Sequence, residues 1–390
     1  MKIKEVLKKV IPPSANTFHS FVAESNAAND RKMHTLVSEI NKAGRTNQEI
    51  LEKINRINET GQEIIEKMNN KEYDIPASMK PPYFFDLRLR AIQWETFTEL
   101  ENWLETLDNV ALYELQDINT RIPAPSAEYQ AFQPDFLLYH NVHEVKAHLP
   151  RYKALYNLLA DAASKRVLVS LFLSHIVNSN RLLWKHFQTV VLGVAPWEHI
   201  YFNPLIVHHE EGDDEVFVDC GAYDGSGAFN FINHYSTEYK RMYLYELDPA
   251  NAVRVKEAAD MLRNIVTRNV AVGSEHRTMS ASIGSSQGSH LGGGIGNSDY
   301  TAQVVTLDED ISEPITFLKM DIEGAELEAL KGASNHIKNE HPKLAICVYH
   351  KREDAVDIAE YILSLNPDYK LYLRHEEHYM YCGTVLYAVP

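Results

Sequence analysis

"VFVDCGAYDGSGAFNF", residues 216–231, runs from an apolar stretch through three glycines, Gly221, Gly225 and Gly227, into a helix-like pattern. A strand that ends in a glycine-rich turn and opens a helix is the local geometry of a nucleotide cradle. The dinucleotide fingerprint G-x-G-x-x-G is not met, because Tyr223 stands where the second glycine belongs. Its bulk would keep a pyrophosphate away from the backbone. No Gly-Lys-Ser/Thr follows, so a P-loop fails as well. NAD and ATP are disfavoured.

A ligand with one nucleoside and no phosphate fits better. Asp219 and Asp224 flank the turn with carboxylates, which suit an ammonium rather than an anion. The next apolar run ends "YLYELDP" (243–249), placing Glu246 about two dozen positions after the turn, where an acidic side chain reads ribose hydroxyls. Ammonium, carboxylate, ribose and adenine together describe S-adenosylmethionine.

Working outward, strands are expected at Val216–Cys220, Arg241–Leu247, Ile265–Val272, Ile315–Ile322, Leu344–Tyr349, Tyr369–Arg374 and Thr384–Val389, with helices between most of them. Several are continuous apolar runs, as in a parallel sheet covered on both faces. The last two are joined by "HEEHYMYCG" (375–383), too short for a crossover helix, so they should pair antiparallel. The fold class is α/β: a doubly wound, Rossmann-like sheet of seven strands with ligands at the strands' C-terminal ends. "SSQGSHLGGGIGNSDY" (285–300) is too polar for core and reads as a linker or a mobile lid.

Upstream the pattern is helical. Residues 33–68 carry an unbroken heptad seam with Leu36, Ala43, Ile50, Ile57 and Ile64 at d and Asn47 at a, which predicts a coiled coil and a homo-oligomer; an intramolecular helical hairpin is the alternative. "MKIKEVLKKVIPPS" (1–14) reads as a basic amphipathic helix that could rest on an anionic membrane surface or dock on protein. A proline-rich linker spans 69–84 and a loop 122–134. The divisions are therefore 1–75 for the helix and coiled coil, 76–205 for a mostly helical adaptor, and 206–390 for the α/β domain. "HHEEGDDE" (208–215) reads as a solvated charged turn rather than a cation site.

The chain has 390 residues, 38 Lys plus Arg and 54 Asp plus Glu, for a net charge of −16. That acidity argues against nucleic acid as a partner, since phosphate contacts need clustered Lys and Arg. Cys220, Cys347 and Cys382 form no CxxC or CxxH pair and read as reduced thiols of a cytoplasmic protein. No apolar run reaches the ~18 residues of a membrane-spanning helix.

"VFVDCGAYDGS" (216–226), "YLYELDP", "NVAVGS" (269–274), "VVTLDED" (304–310) and "FLKMDIEGAELEALKGA" (317–333), taken in order, resemble the FkbM family of S-adenosylmethionine-dependent methyltransferases over roughly residues 200–390. The resemblance implies a class I methyltransferase fold and O-methylation, often of sugar hydroxyls in bacterial glycans or of natural products. It implies that Asp219, Gly221, Ala222, Tyr223 and Gly225 wrap the methionine part. Glu246 would hold the ribose and Leu247 the adenine, with Asn269, Val270 and Ala271 as a second adenine wall or an ordinary strand. The N-terminal region is similar, more loosely, to proteins of surface-polysaccharide assembly, which implies a peripheral membrane or glycan-assembly partner.

On the acceptor side, an alcohol is a poor nucleophile until its proton has somewhere to go, so a base or a metal is expected. Asp321 ends the fourth strand with Glu323 and Glu326 close behind, and His350 ends the fifth, with Asp354 beyond. By similarity to catechol O-methyltransferase-like enzymes, Asp321, Glu323 and His350 could bind Mg²⁺ or Mn²⁺, with Glu326 or Asp354 as alternatives. Without metal, Asp321 or His350 would be the general base; Glu326 reads as structural. "HEEH" (375–378) lacks the H-E-x-x-H spacing of a zinc site, leaving Arg374 and His375 as rim candidates or solvated loop charges. Two further readings stay open: a non-catalytic oligomeric scaffold that only binds the cofactor, and a methyltransferase for a small natural product.

Overall fold

Among the described residues of the computed structural model, four α-helices precede the sheet: α1 (Phe97–Thr106), α2 (Asn109–Thr120), α3 (Val142–Leu158) and α4 (Ala162–Val177). The structure describes residues 97–120, 135–179, 183, 200–210, 214–283, 289–291, 299–376 and 382–390, all within one compact unit, Phe84–Pro390. The amphipathic helix of 1–14, the heptads of 33–68, the linker of 69–84 and the loop of 122–134 lie outside the described residues.

The two longest described helices start where a side chain can take an orphan N–H. Asn141 caps α3 by accepting from Glu144 N, and Asp161 caps α4 by accepting from Ser164 N. Helices α3 and α4 are separated by a break at residues 159–161. The break pairs with a sheet edge, since Leu159 bridges Leu371 and Ala160 N donates to Leu371 O.

The α/β part follows as β1 (Val216–Cys220), α5 (Ser226–His234), β2 (Arg241–Tyr245), α6 (Pro249–Ala259), β3 (Ile265–Arg268), β4 (Ala271–Val272), β5 (Arg277–Ile283), β6 (Ser289–Leu291), β7 (Asp299–Val305), α7 (Leu307–Asp310), β8 (Phe317–Met320), α8 (Glu326–Lys331), α9 (Ser334–Glu340), β9 (Lys343–Cys347), α10 (Asp354–Leu365), β10 (Lys370–His375) and β11 (Thr384–Val389). The main sheet has seven strands in the order β10-β11-β9-β8-β1-β2-β3. From β3 to β9 the strands are parallel, while β11 runs antiparallel between β9 and β10 as the short connection predicts.

Strand periodicity sorts the side chains into two cores, one on each face. Val216, Val218 and Cys220 of β1 join Leu318 and Met320 of β8 in one core, with residues of α1–α4 and α8–α10. Phe217 and Phe317 face the other, with Ala228 and Phe231 of α5, Val255 of α6 and Phe202. There Phe217 and Phe231 stack at 4.6 Å between centroids, and Phe202 packs edge-on to both. Each fully buried phenylalanine contributes about 1.5–3 kcal/mol, and together they anchor the segment around residue 200 beneath the sheet. Asp219 and Lys319, between those apolar positions, share the Phe217 face.

Two expectations need correction. The strand expected at Ile265–Val272 is broken at Asn269–Val270, so that β3 ends the main sheet and β4 enters a second one, ordered β4-β7-β5-β6. That sheet takes in part of the glycine-rich stretch read as a lid: β6 pairs antiparallel with β5, and β7 begins at Asp299. Alternating polar and small residues in "RTMSASI" (277–283) suit a two-sided, half-exposed sheet, which a search for apolar runs passes over. No helix among the described residues is long and apolar enough to cross a membrane.

Candidate active site

The C-terminal ends of β1 and β2 form the cradle. Gly221 and Gly225 are left-handed, both with φ +83°, and a Cβ on Gly221 would collide with the carbonyl oxygen of Asp321. The glycine turn is therefore seated directly on the end of β8. Gly221 N and Ala222 N both donate to Tyr245 O at 2.9 Å. Tyr223 keeps the glycine-like backbone despite its bulk, with φ +52°, a costly conformation. Its N–H donates to Glu246 Oε2 at 2.7 Å, and its half-exposed ring lies 5.0 Å from the Arg254 guanidinium, which pairs with Asp224.

Glu246 Oε1 accepts from Asp248 N at 2.7 Å, so the carboxylate ties the turn to the start of α6. Burial pushes this carboxyl up, and the two amides pull it back. Each oxygen keeps a second lone pair for a ligand hydroxyl. Asn269 Nδ2 donates to the carbonyls of Glu246 and Leu247 at 2.8 and 3.0 Å, shaping the loop after β2. Val270 is half-buried beside it, whereas Ala271 is buried in β4, paired with Val304.

Asp219 departs from expectation. It is fully enclosed, and instead of facing the cradle it pairs with Lys319 of β8, whose Nζ is 2.7 Å from Oδ1 and donates to Gly221 O at 2.8 Å. A Cβ on Gly227 would strike Asp219 Oδ2, so that glycine makes room for the carboxylate. Burial pushes the Asp219 carboxyl up while the ammonium pulls it down; Lys319, with Asp321 also close, stays charged against its own burial. Asp219 thus acts on the turn through Lys319. A lysine inside "FLKM" (317–320) on a central strand was a legible signal, because a buried ammonium needs a carboxylate on a neighbouring strand.

Beside the cradle, β8 and β9 carry the second half of the site. Asp321 Oδ2 accepts from Tyr201 OH at 2.7 Å and Oδ1 from Tyr349 OH at 2.9 Å. About a quarter of the Asp321 side chain stays exposed. Burial opposes its ionisation, but Lys319, His350 and the two phenols hold it below the usual carboxylate range. His350 Nε2 lies 3.5 Å from Asp321 Oδ1 and 3.6 Å from Glu323 Oε2. Its Nδ1 lies 2.9 Å from Glu326 Oε1, near enough for an ion pair but out of line for a hydrogen bond. Burial works against the imidazolium, yet Glu326, Asp321 and Glu323 raise its pKa to about 9. Asp354, accepting from Lys351 N at 2.6 Å, is pushed up to about 7 by burial and by Glu326. Glu323 has φ +57° and precedes left-handed Gly324, whose carbonyl accepts from Lys351 Nζ.

Three residues read otherwise in the sequence lie outside this crevice or change role. Arg374 and His375 are buried rather than at a rim. Arg374 pairs with Asp161 at 2.6 Å and donates to Ser164 Oγ, and His375 Nδ1 contacts Thr384 Oγ1. Glu215, expected in a solvated turn, is fully buried at the opposite end of the sheet, held by Thr316, His209, Tyr235 and Lys343. Sequence reasoning missed Tyr201, which carries no local signal and reaches Asp321 from 120 positions away.

Residues 219–375, which contain both the cradle and the crevice, match the methyltransferase FkbM domain family. These residues are an FkbM methyltransferase domain. The FkbM domain also has a solved likeness: a methyltransferase FkbM from Methylobacillus flagellatus KT, 27% identical, superimposes with a TM-score of 0.53 over 63% of this chain and 60% of that one. The likeness thus spans about three fifths of that relative's length. More distant matches include an O-methyltransferase from Bacillus cereus in complex with SAH (10% identity, 63% of this chain, 100% of that one, TM-score 0.33). Another is an rRNA methylase from Streptococcus thermophilus (15% identity, 45% of this chain, 86% of that one, TM-score 0.30). No curated protein matches the chain. Tyr201 lies upstream of the FkbM domain, so the site draws one side chain from outside it.

Proposed function

We propose that this chain is an S-adenosylmethionine-dependent O-methyltransferase acting on a sugar hydroxyl, as in a bacterial surface glycan. The observation that carries the reading is the contact of the Gly221 turn with the end of β8, which sets the cofactor cradle and the Asp321 crevice side by side. S-adenosylmethionine, when bound, supplies an electrophilic methyl group on a sulfonium. Glu246 would accept from the ribose hydroxyls, and the turn of Gly221, Ala222, Tyr223 and Gly225 would line the methionine part, with Leu247, Asn269 and Val270 near the base. The lone pairs left on the buried Glu246 carboxylate fit that group.

In the crevice, Asp321 is held ionised, and Tyr201 and Tyr349 fix its orientation. It is placed to accept the hydrogen bond of an acceptor hydroxyl and to take its proton as the oxygen attacks. His350, whose pKa the surrounding carboxylates raise to about 9, would sit beside Asp321 and help to orient the acceptor hydroxyl. The sugar acceptor is supported by the family resemblance and by the polar, carboxylate-rich lining. A homo-oligomer through residues 33–68, and placement at the inner face of a membrane by residues 1–14, complete the proposal.

The test is transfer of a radiolabelled methyl group from S-adenosylmethionine to a panel of mono- and oligosaccharides. Asp321→Ala should lose turnover, about 100-fold or more, while cofactor affinity stays within about twofold. Full turnover in that variant would remove Asp321 from the chemistry.

A further inference from the structure

We infer that Asp321, Glu326 and His350 form a divalent-cation site, with Glu323 on its open side. The inference rests on the reading above for the cation's role in methyl transfer, but the site itself stands on its own geometry. One donor atom from each of the three residues lies within 4.8 Å of the others. Ligands at about 2.1 Å from a cation are at most about 4.2 Å apart, so movements below an ångström would close the site. The expectation of Asp321, Glu323 and His350 is modified accordingly: Glu326, read as structural, stands in the cluster, and Glu323 is the more exposed of the two.

Two buried atoms point to something absent from the protein's own hydrogen bonds. Glu326 is completely buried; Oε1 accepts from Ile322 N at 2.9 Å, but Oε2 has no hydrogen-bond partner. His350, nine-tenths buried, has an Nδ1 close to Glu326 but misaligned. Its Nε2 stands 3.5 and 3.6 Å from the oxygens of Asp321 and Glu323, too far for hydrogen bonds yet close to the spacing of adjacent ligands on one metal. Charge agrees: three carboxylates, Asp321, Glu323 and Glu326, act on one imidazole, with the Asp354 carboxyl close by. Lys319 acts on Asp321 through its charge but pairs directly with Asp219, and Lys351 donates to the Gly324 carbonyl.

Carboxylate oxygens with one imidazole nitrogen suit Mn²⁺, Fe²⁺ or Zn²⁺ better than Ca²⁺. A cation there would replace the imidazole proton, and a hydroxyl on its open side would be acidified next to the cradle. The competing arrangement needs no metal, since the imidazolium is itself a counter-ion for Glu326.

Mn²⁺ binding to the full chain separates the two. It is followed by calorimetry and water-proton relaxation, with no methyl acceptor present, and S-adenosylmethionine is titrated separately. The expected result is one Mn²⁺ per chain, weakened about 10- to 100-fold by Glu326→Gln and by Asp321→Asn and changed less than about threefold by Glu323→Gln. His350→Gln, judged by the same titration, serves if Glu326→Gln does not fold. Absence of saturable Mn²⁺ binding in a chain that binds S-adenosylmethionine would overturn the cation site and leave the methyltransferase reading intact. Mn²⁺ binding indifferent to both Glu326→Gln and Asp321→Asn would overturn the ligand assignment. Mn²⁺ binding without S-adenosylmethionine binding would support the site and count against the proposed function instead.

Discussion

Replacing Lys319 with methionine tests how the cradle is held. The ammonium is almost wholly enclosed, with 5% of its side chain exposed and Asp219 at 1%, and it serves both the Asp219 carboxylate and the Gly221 carbonyl. Methionine fills much the same space, so the cavity penalty is small. What remains is a buried carboxylate without its counter-ion, a loss of about 3–5 kcal/mol when one member of a buried pair is removed. For a domain stable by about 5–15 kcal/mol, that is a large fraction. Asp219 would respond by binding a proton, raising its folded-state pKa further. A carboxyl whose folded pKa is raised favours the folded state at low pH and weakens it as pH rises, so the deficit should widen from about pH 5 to about pH 8. Urea unfolding followed by circular dichroism at both pH values reads this directly. Asp219→Asn in the Lys319→Met background should recover at least about 2 kcal/mol, because no charge then lies buried. A loss below about 1 kcal/mol for Lys319→Met, or one that shrinks as pH rises, would refute the pairing as the anchor of the turn.

Other outcomes follow from the same contacts. Glu246→Ala removes the acceptor proposed for the ribose and should weaken S-adenosylmethionine by about 2–4 kcal/mol, roughly 30- to 1,000-fold in calorimetric affinity. Asp161→Asn keeps the α4 cap but loses the charge paired with Arg374. The Asp161 carboxyl is lowered to about 2, by Arg374 and Ser164 against burial. A depressed carboxyl stabilises above its unfolded pKa of about 3.9 and loses that stability as pH falls through the folded value. With about a third of the side chain exposed, solvent screening limits the term to about 1–2 kcal/mol. Wild type and Asp161→Asn should therefore differ in thermal midpoint at neutral pH and converge near about pH 2. Deletion of residues 1–75 should give a monomer by light scattering if the heptads assemble the chain, and an unchanged oligomer would disprove that role.

What could be read from the chain alone was what local pattern encodes. The β1 turn, Glu246 at the end of β2, and the apolar runs of β8 and β9 announce themselves through glycine spacing and continuous burial. The closing antiparallel hairpin follows from a connection too short for a crossover. The small β4-β7-β5-β6 sheet escaped because its strands alternate polar and apolar residues across a glycine-rich stretch. Long-range pairing escaped for a different reason. Arg374 looks like a loop charge until Asp161 and Ser164, more than 200 positions away, close over it. Glu215 looks solvated until Lys343 and Thr316 arrive at the same strand end. Tyr201 has no signature at all; it matters because Phe202, beside it, is packed into the Phe217 core and fixes where the phenol reaches.

The central claim is that the glycine turn and Glu246 hold S-adenosylmethionine. Calorimetric titration of the full chain with S-adenosylmethionine and with S-adenosylhomocysteine tests it most directly. Saturable binding of one ligand per chain, with a Kd on the order of micromolar, about −8 kcal/mol, is the predicted result. A folded protein that gives no binding heat for either ligand across temperatures, and no shift in thermal midpoint with either, would contradict it.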